Sequence, residues 1–354
     1  MKFSIGTNIK EGPWGGGNLF AKNLIEYLRA NGHVVINHLL DDDIDLILIT
    51  EPRRTSESSA FTHLDVMDYI KHIKKDTLIV HRINECDERK GTNFVNKYLI
   101  GANNIADQTV FVSEWLMKLY LDQGLNKKNN KVILAGANNE IFNNKDFTPW
   151  DRKSKLRLVT HHWGANWNKG FDVYLKLDNL LKQKDWNEKI DFTYIGNLPK
   201  KFTFENTQVI SPLSGLELAK EIKNSHLYIT GSLNEPSGNH HIEGAQCGLP
   251  LLYVNSGGMP EYCEEYGIEF NVDNLEIKLS EMIEKYDDYI LKVKDYRFNS
   301  LNMSKEYEEL FLNMLKDKEK YLDTRNIDPK TSFIKNYLFN IKRNFQLRNL
   351  EKLK

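Results

Sequence analysis

The chain has 354 residues, 40% of them hydrophobic and 27% charged, with a formal net charge of −1 at pH 7 and a mean hydropathy of −0.53. Such a length exceeds what one core usually fills, so two domains are expected, and the charge balance excludes a generally basic nucleic-acid binder. No apolar run approaches the roughly 20 residues needed to cross a bilayer. The N-terminus runs straight into a strand and a glycine loop without the succession of an export signal. Cys86, Cys247 and Cys263 are widely spaced and odd in number, which does not suit a disulfide framework. A reducing cytoplasm is the expected compartment.

Short apolar runs alternate with longer amphipathic ones, the pattern of parallel sheets with helical crossovers. In the first half, strands are expected at Lys2 to Thr7, Val34 to Asn37, Asp45 to Thr50, Thr77 to His81, Thr109 to Ser113 and Val132 to Ala135. Helices fill the gaps at Asn18 to Ala30, Leu64 to Lys74, Asn93 to Asn103 and Glu114 to Gln123. The run DLILIT is apolar through its middle, as a strand covered on both faces is. Phe142 to Arg152, with its Asn, Asp and Pro, breaks the period and reads as a linker. Alternation then restarts, with strands at Leu156 to His161, Asp191 to Gly196, Leu227 to Gly231 and Leu251 to Val254, and helices at Phe171 to Leu181, Gly215 to Asn224, His240 to Cys247 and Met259 to Tyr266. Beyond about residue 273 the chain reads as charged helix.

The most informative stretch is NEPSGNHHIEGAQCGLP, Asn234 to Pro250, where Glu235 and Glu243 are separated by seven residues. Glu235 precedes a Pro-Ser-Gly turn and Glu243 falls in the helix that the turn opens. Such a turn aims free backbone N–H groups and the positive helix end at one point, which suits a pyrophosphate or a sugar hydroxyl. A carboxylate one turn into that helix can accept hydrogen bonds from both hydroxyls of a ribose. As a bare pair of glutamates, a loop carboxylate and a helix surface charge would be the favoured reading, because charged residues are mostly solvated.

The surrounding residues decide between these. From Ser211 to Tyr262 the sequence resembles the donor-binding half of family 4 glycosyltransferases, which have the GT-B fold. The family's two glutamates, its Gly-x-Pro strand entry and its Gly-Gly-x-Pro-Glu turn match Glu235, Glu243, Gly248 to Pro250 and Gly257 to Glu261. HHWGANWNKGFDVY, His161 to Tyr174, resembles the family's phosphate segment, with Lys169 and Gly170 in place, and TVFVSEWLMKLY and GANNEIF match further segments of the first half. The resemblance implies an α/β, GT-B fold of two Rossmann-like domains with parallel sheets facing across a cleft. Residues 1–146 would bind the acceptor and 147–300 the nucleotide sugar, while helices in 301–354 would cross back to the first domain. It implies retaining transfer of a hexosyl unit from a nucleotide-diphosphate sugar to a hydroxyl of a glycan or lipid-linked acceptor, in bacterial surface polysaccharide or glycolipid synthesis. A GT-B epimerase or phosphorylase, or a non-catalytic sugar-nucleotide-binding subunit, is the alternative.

On the same resemblance Glu243 would hold the ribose, Glu235 the transferred sugar, and Gly238, Asn239, His240 and His241 would line the donor site. Lys169 would face the leaving diphosphate, where an ammonium offsets growing charge, and Gly196 and Asn197 would lie by the nucleobase. The family's usual arginine just upstream of the lysine is missing, and His162 or Asn166 would take its place. Gly15, Gly16 and Gly17 in EGPWGGGN would approach the diphosphate from the first half. His81, at the end of TLIVH, occupies the end of a parallel strand where ligands bind and would face the transferred sugar as a third catalytic candidate beside Glu235 and Lys169, or else be a satisfied strand-end histidine. Arg82, Asn84 and Asp87 would line the acceptor pocket, although a solvated loop explains them as well.

Neither a metal nor a cofactor is expected. The Asp-x-Asp pattern around Asp43 lies at the wrong end of a strand, and adjacent His161 and His162 point to opposite faces of theirs. The last 25 residues carry Lys330, Lys335, Lys342, Arg343, Arg348, Lys352 and Lys354 against Glu351 alone. With Phe333, Ile334, Tyr337, Leu338, Ile341 and Phe345 at helical spacing, residues 330–354 read as a basic amphipathic helix for a membrane surface or as a final helix packed on the first domain.

Overall fold

The computed structural model describes residues 1–10, 15–126, 128–325 and 333–351, the last span with backbone alone at 333–336 and 348–351. The first half contributes β1 (Lys2–Ile5), α1 (Gly16–Ala30), β2 (Val34–Ile36), β3 (Leu46–Ile49), α2 (His63–His72), β4 (Leu78–Ile83), α3 (Asp87–Lys90), α4 (Val95–Asn103), β5 (Gln108–Phe111), α5 (Glu114–Asp122) and β6 (Asn130–Val132). The second contributes β7 (Leu156–His162), α6 (Phe171–Leu180), α7 (Lys184–Asn187), β8 (Ile190–Gly196), β9 (Gln208–Ile210), α8 (Gly215–Lys223), β10 (Leu227–Thr230), α9 (Asn239–Gln246), β11 (Leu251–Val254), α10 (Met259–Cys263), β12 (Gly267–Phe270) and α11 (Leu275–Val293). The chain closes with α12 (Ser300–Lys316), α13 (Lys318–Thr324) and α14 (Phe333–Glu351).

The strands form two six-stranded sheets, ordered β2-β1-β3-β4-β5-β6 and β12-β11-β10-β7-β8-β9, and every strand pairing is parallel. This is the GT-B arrangement. The apolar strands are buried on both faces, Leu46 to Ile49 and Leu227 to Ile229 completely, because helices cover both sides of each sheet. Periodicity did not reveal β9 and β12. QVI is a short edge strand with two exposed residues, and GIEF interleaves a glutamate among its buried residues, so neither shows a run of adequate length. The last strand of the first sheet spans Asn130–Val132 instead of Val132 to Ala135.

Each sheet turns at a switch point where neighbouring strands lead their connections in opposite directions, β1/β3 in the first and β10/β7 in the second. Groups at the carboxyl ends of such strands face an open crevice. Thr7 and Thr50, beyond β1 and β3, meet there through their hydroxyls at 2.7 Å. The tail of the chain spans both halves: α11 buries Leu275, Leu279, Met282 and Tyr286 against the second sheet, while α12 buries Met303, Tyr307, Phe311 and Met314 against the first. Glu308 on α12 accepts from Tyr27 of α1 at 3.0 Å.

In α14, Phe339 stacks on His72 of α2 at 4.6 Å and the Arg343 guanidinium donates to the Leu40 carbonyl. Tyr337, Leu338, Ile341 and Phe345 stay more than half exposed. Lys330, Lys352 and Lys354, and the side chains of Phe333, Ile334, Lys335 and Arg348, lie outside the described residues. No helix among the described residues is long and apolar enough to cross a membrane.

Candidate functional site

A cleft of about 830 Å³ opens between the two sheets' carboxyl ends. Two helices point their N-termini into it. Gly15 precedes α1 and Gly238 precedes α9, neither offering a side-chain cap, and neither helix has an acidic residue in its first turn. Elsewhere Thr62, Ser113 and Asn299 cap their helices with side chains. The cleft helices therefore keep orphan N–H donors and uncompensated positive ends for a ligand. The two ends are close: a Cβ on Gly16 would stand 3.0 Å from the Asn239 side chain.

Glu235 is 4% exposed and holds two cations at once. Lys169 Nζ donates to its Oε2 at 2.7 Å, and Arg89 Nε from the first half lies 2.7 Å from Oε1. Burial alone would raise its carboxyl, but the charges of Lys169 and Arg89 outweigh it and bring it down to about 2. Burial lowers the Lys169 ammonium from its ordinary value, with Glu235 opposing, whereas Glu235 raises Arg89. The loop carrying Glu235 rests on the Gly-Gly turn at the end of β11. Gly258 N–H donates to the Glu235 carbonyl at 2.9 Å, and at Gly257 a Cβ would fall 2.4 Å from that same oxygen. The last residue of the turn motif, Glu261, caps α5 across the molecule by accepting from Glu114 and Trp115 N–H at 2.8 and 2.9 Å.

Glu243, on α9, accepts from His161 Nε2 at 2.7 Å. The Tyr228 hydroxyl accepts from the His161 backbone N–H and lies 3.0 Å from its Nδ1, so both ring nitrogens of His161 are engaged. His162 points the other way, 2.7 Å from the Tyr174 hydroxyl, and burial with the Lys169 charge holds it well below its usual value. His240 is bonded to Thr230 at 2.8 Å and is likewise lowered by burial and its neighbours. His162 and His240 are therefore neutral, dipolar parts of the wall.

The cleft brings together Gly15, Gly16, Gly17, Arg82, Asn84, His162, Asn166, Lys169, Glu235, Gly238, Asn239, His240 and Glu243 among the residues expected from sequence. Others it does not. His81 is fully buried, its Nδ1 bonded to Asn103 at 2.8 Å, and it does not line the cleft; it is a core histidine of β4. Asp87 turns its carboxylate inward to accept from Thr92 and from the backbone N–H groups of Phe94, Val95 and Asn96, so it caps the start of α4 and is not among the residues lining the cleft. His241 lies beneath Gly238 at 0% exposure with both ring nitrogens unpartnered, and burial pushes it to about 3. Gly196 and Asn197 are not among the residues lining the cleft: Gly196 is buried and the exposed Asn197 donates to the carbonyl of Trp163 at 2.8 Å, a residue that does line it. Arg82 reaches the cleft only in part, being 5% exposed and stacked over Phe20 at 3.8 Å.

Two residues of the cleft that contact its glutamates were not expected from the sequence, His161 and Arg89. His161 was weighed only as a metal ligand, although its place at the end of a parallel strand beside the switch point was the available signal. Arg89 lies in the charged run RINECDERKGT, which gives no sign that one of its cations reaches Glu235; of the two residues expected in place of the absent arginine, His162 is bonded to Tyr174 and lowered by burial, and Asn166 carries no charge. Among the described residues no group of three or more His, Cys, Asp and Glu side chains is placed to hold a metal ion.

No family model matches the chain. The phosphatidylinositol N-acetylglucosaminyltransferase gpi3 subunit of Schizosaccharomyces pombe is 24% identical over 143 residues, which is 37% of this chain and 31% of that protein. The chain thus matches about a third of the length of that curated relative. Among solved structures, a glycosyltransferase from Rickettsia africae aligns at 14% identity with a TM-score of 0.65, covering 89% of this chain and 99% of the other. Anabaena HepE in complex with UDP-glucose aligns at 12% identity and a TM-score of 0.65, covering 88% and 100%. WaaG, a glycosyltransferase involved in lipopolysaccharide biosynthesis, aligns at 13% identity and a TM-score of 0.55, covering 92% and 100%. At these identities the likeness is one of fold.

Proposed function

We propose that the protein is a glycosyltransferase that moves a hexosyl unit from a nucleotide-diphosphate sugar to a hydroxyl acceptor with retention of anomeric configuration. The observation that carries this reading is the convergence of two uncapped helix N-termini with Lys169, Glu235 and Glu243 in one cleft. The diphosphate would lie on the N–H groups after Gly15 and Gly238, the ribose on Glu243 with His161 behind it, and the sugar beside Glu235. The acceptor oxygen would bond to the anomeric carbon as the carbon–oxygen bond to the diphosphate breaks, and the acceptor's proton would pass to a phosphate oxygen of the departing diphosphate. Fixed dipoles and the Lys169 ammonium would stabilise the charge that develops on that leaving group. No metal and no cofactor enters this scheme.

Asn84 and the visible edge of Arg82 would face the acceptor. That acceptor, in our reading, is a glycan or a lipid-linked glycan of bacterial surface polysaccharide or glycolipid synthesis, met at the cytoplasmic face of the membrane. The exposed Tyr337, Leu338, Ile341 and Phe345 of α14 support a peripheral contact with that surface. The test is release of nucleoside diphosphate from UDP-, GDP- and ADP-sugars, with and without acceptor glycans and a chelator, for wild type and Glu243→Ala. Turnover of one donor, lost in the variant and unchanged by the chelator, is expected. Firm donor binding with no turnover in any combination would instead make the protein a binding subunit.

A further inference from the structure

On the wall supplied by the second half, Lys169 is the one Lys or Arg among the described cleft residues, and its ammonium is already engaged by Glu235. His162, Asn166 and His240 beside it offer dipoles only. A nucleoside diphosphate brings more than one negative charge, so this wall by itself leaves the ligand under-compensated. The opposite wall supplies what is missing.

Arg89 sits on α3, the short helix after β4, and crosses the cleft to the Glu235 oxygen that Lys169 leaves free. Its side chain is 28% exposed while that of Glu235 is 5% exposed. The contact is close but poorly directed, since Arg89 Nε makes no well-formed hydrogen bond. Among the described residues no hydrogen bond holds its terminal nitrogens either. The backbone around it is fixed. Asp87 caps α4, Tyr120 donates to the Glu85 carbonyl at 2.9 Å, and Asn234 donates to the Glu88 carbonyl at 3.3 Å. Reorientation therefore needs only the side chain to turn.

We propose that Arg89 is a diphosphate-binding residue delivered by the first half of the molecule. When the donor enters, its guanidinium exchanges the single contact with Glu235 for the planar, two-pronged contact that guanidinium makes with phosphate oxygens. Glu235 keeps Lys169 and presents its released oxygen to the sugar. Donor binding thereby ties the two halves together through one side chain. This inference rests on the donor reading given above.

The test is calorimetric titration of the full chain with UDP, GDP and ADP, each beside its nucleoside. Wild type should bind one diphosphate; binding of none would overturn the donor reading and this inference with it. In Arg89→Ala, affinity for that diphosphate should fall roughly ten- to hundredfold while affinity for the nucleoside is unchanged, and Arg89→Lys should restore part of the loss. Arg89→Gln, closer in shape, gives the same reading should the alanine variant fail to fold. A variant that binds diphosphate as wild type does, or that loses nucleoside and diphosphate equally, would leave the donor reading standing and overturn the role of Arg89.

Discussion

Lys169→Met tests the centre of the site because it removes one charge and keeps most of the side-chain volume. The environment of Glu235 depresses its carboxyl from 4.5 to about 2. At about 1.4 kcal/mol per pH unit this favours the ionised native form by about 3 kcal/mol at neutral pH. Because the folded value is the lower one, that contribution is complete above the unfolded value and is lost as pH falls through the folded one. Two cations share it, so deleting Lys169 should cost on the order of 1–2 kcal/mol, less than the roughly 3–5 kcal/mol seen when a buried charge is left wholly unpaired. Urea unfolding at pH 7.5 measures this. Glu235→Gln should also destabilise, and the double variant should lose clearly less than the sum, since neither charge then remains to be compensated. In turnover, Lys169→Met should lower kcat by roughly 10²–10³, the range for losing one donor at a developing negative charge. Additive stability losses would show that the buried pair has no energetic reality. A kcat within a factor of about five of wild type would refute the placement of the diphosphate.

Wild type should prefer its ribonucleotide over the 2′-deoxy form by roughly tenfold or more, and Glu243→Ala should abolish the preference in competition titrations. His81, His162, His226, His240 and His241 are all lowered, chiefly by burial. Each is neutral when folded and takes up a proton on unfolding, so stability should fall by roughly 1 kcal/mol per histidine between pH 6.5 and 5.5; a flat urea midpoint across that window would contradict the assignment. Gly136→Ala would place a Cβ 2.1 Å from the Asn299 carbonyl carbon, where Ser300 N–H donates to Ala137. It should cost about 1–3 kcal/mol and loosen α12 from α1, read as faster amide exchange in both helices. Removing residues 330–354 should abolish sedimentation with anionic vesicles; undiminished binding would rule out the tail as the membrane contact.

Much of this was legible in the sequence for local reasons. Alternation of LILIT-like runs with amphipathic stretches follows from strands buried on both faces, and a turn with Gly and Pro before a helix declares an uncapped N-terminus whatever surrounds it. Thus the two sheets could be read from residue types and spacing, whereas Glu235, Glu243, Lys169 and Gly15 to Gly17 were singled out by the resemblance of their segments to a family, and the structure places all of them along one cleft. Short edge strands such as β9 could not be read so, since three residues carry no period.

What only the tertiary structure decided was which polar groups face the crevice and which face inward. His81 and His161 both lie in the carboxyl half of parallel strands, yet one is closed off by Asn103 and the other meets Glu243, because β7 borders the switch point of its sheet and β4 does not. Asp87 and Arg89 are two residues apart in the same charged run, but the first satisfies a helix end and the second crosses to Glu235, 146 positions away. A sequence specifies the chemistry a residue can perform through its side chain. Its partner, when that partner comes from the other half of the chain, is set by how two independently built sheets meet.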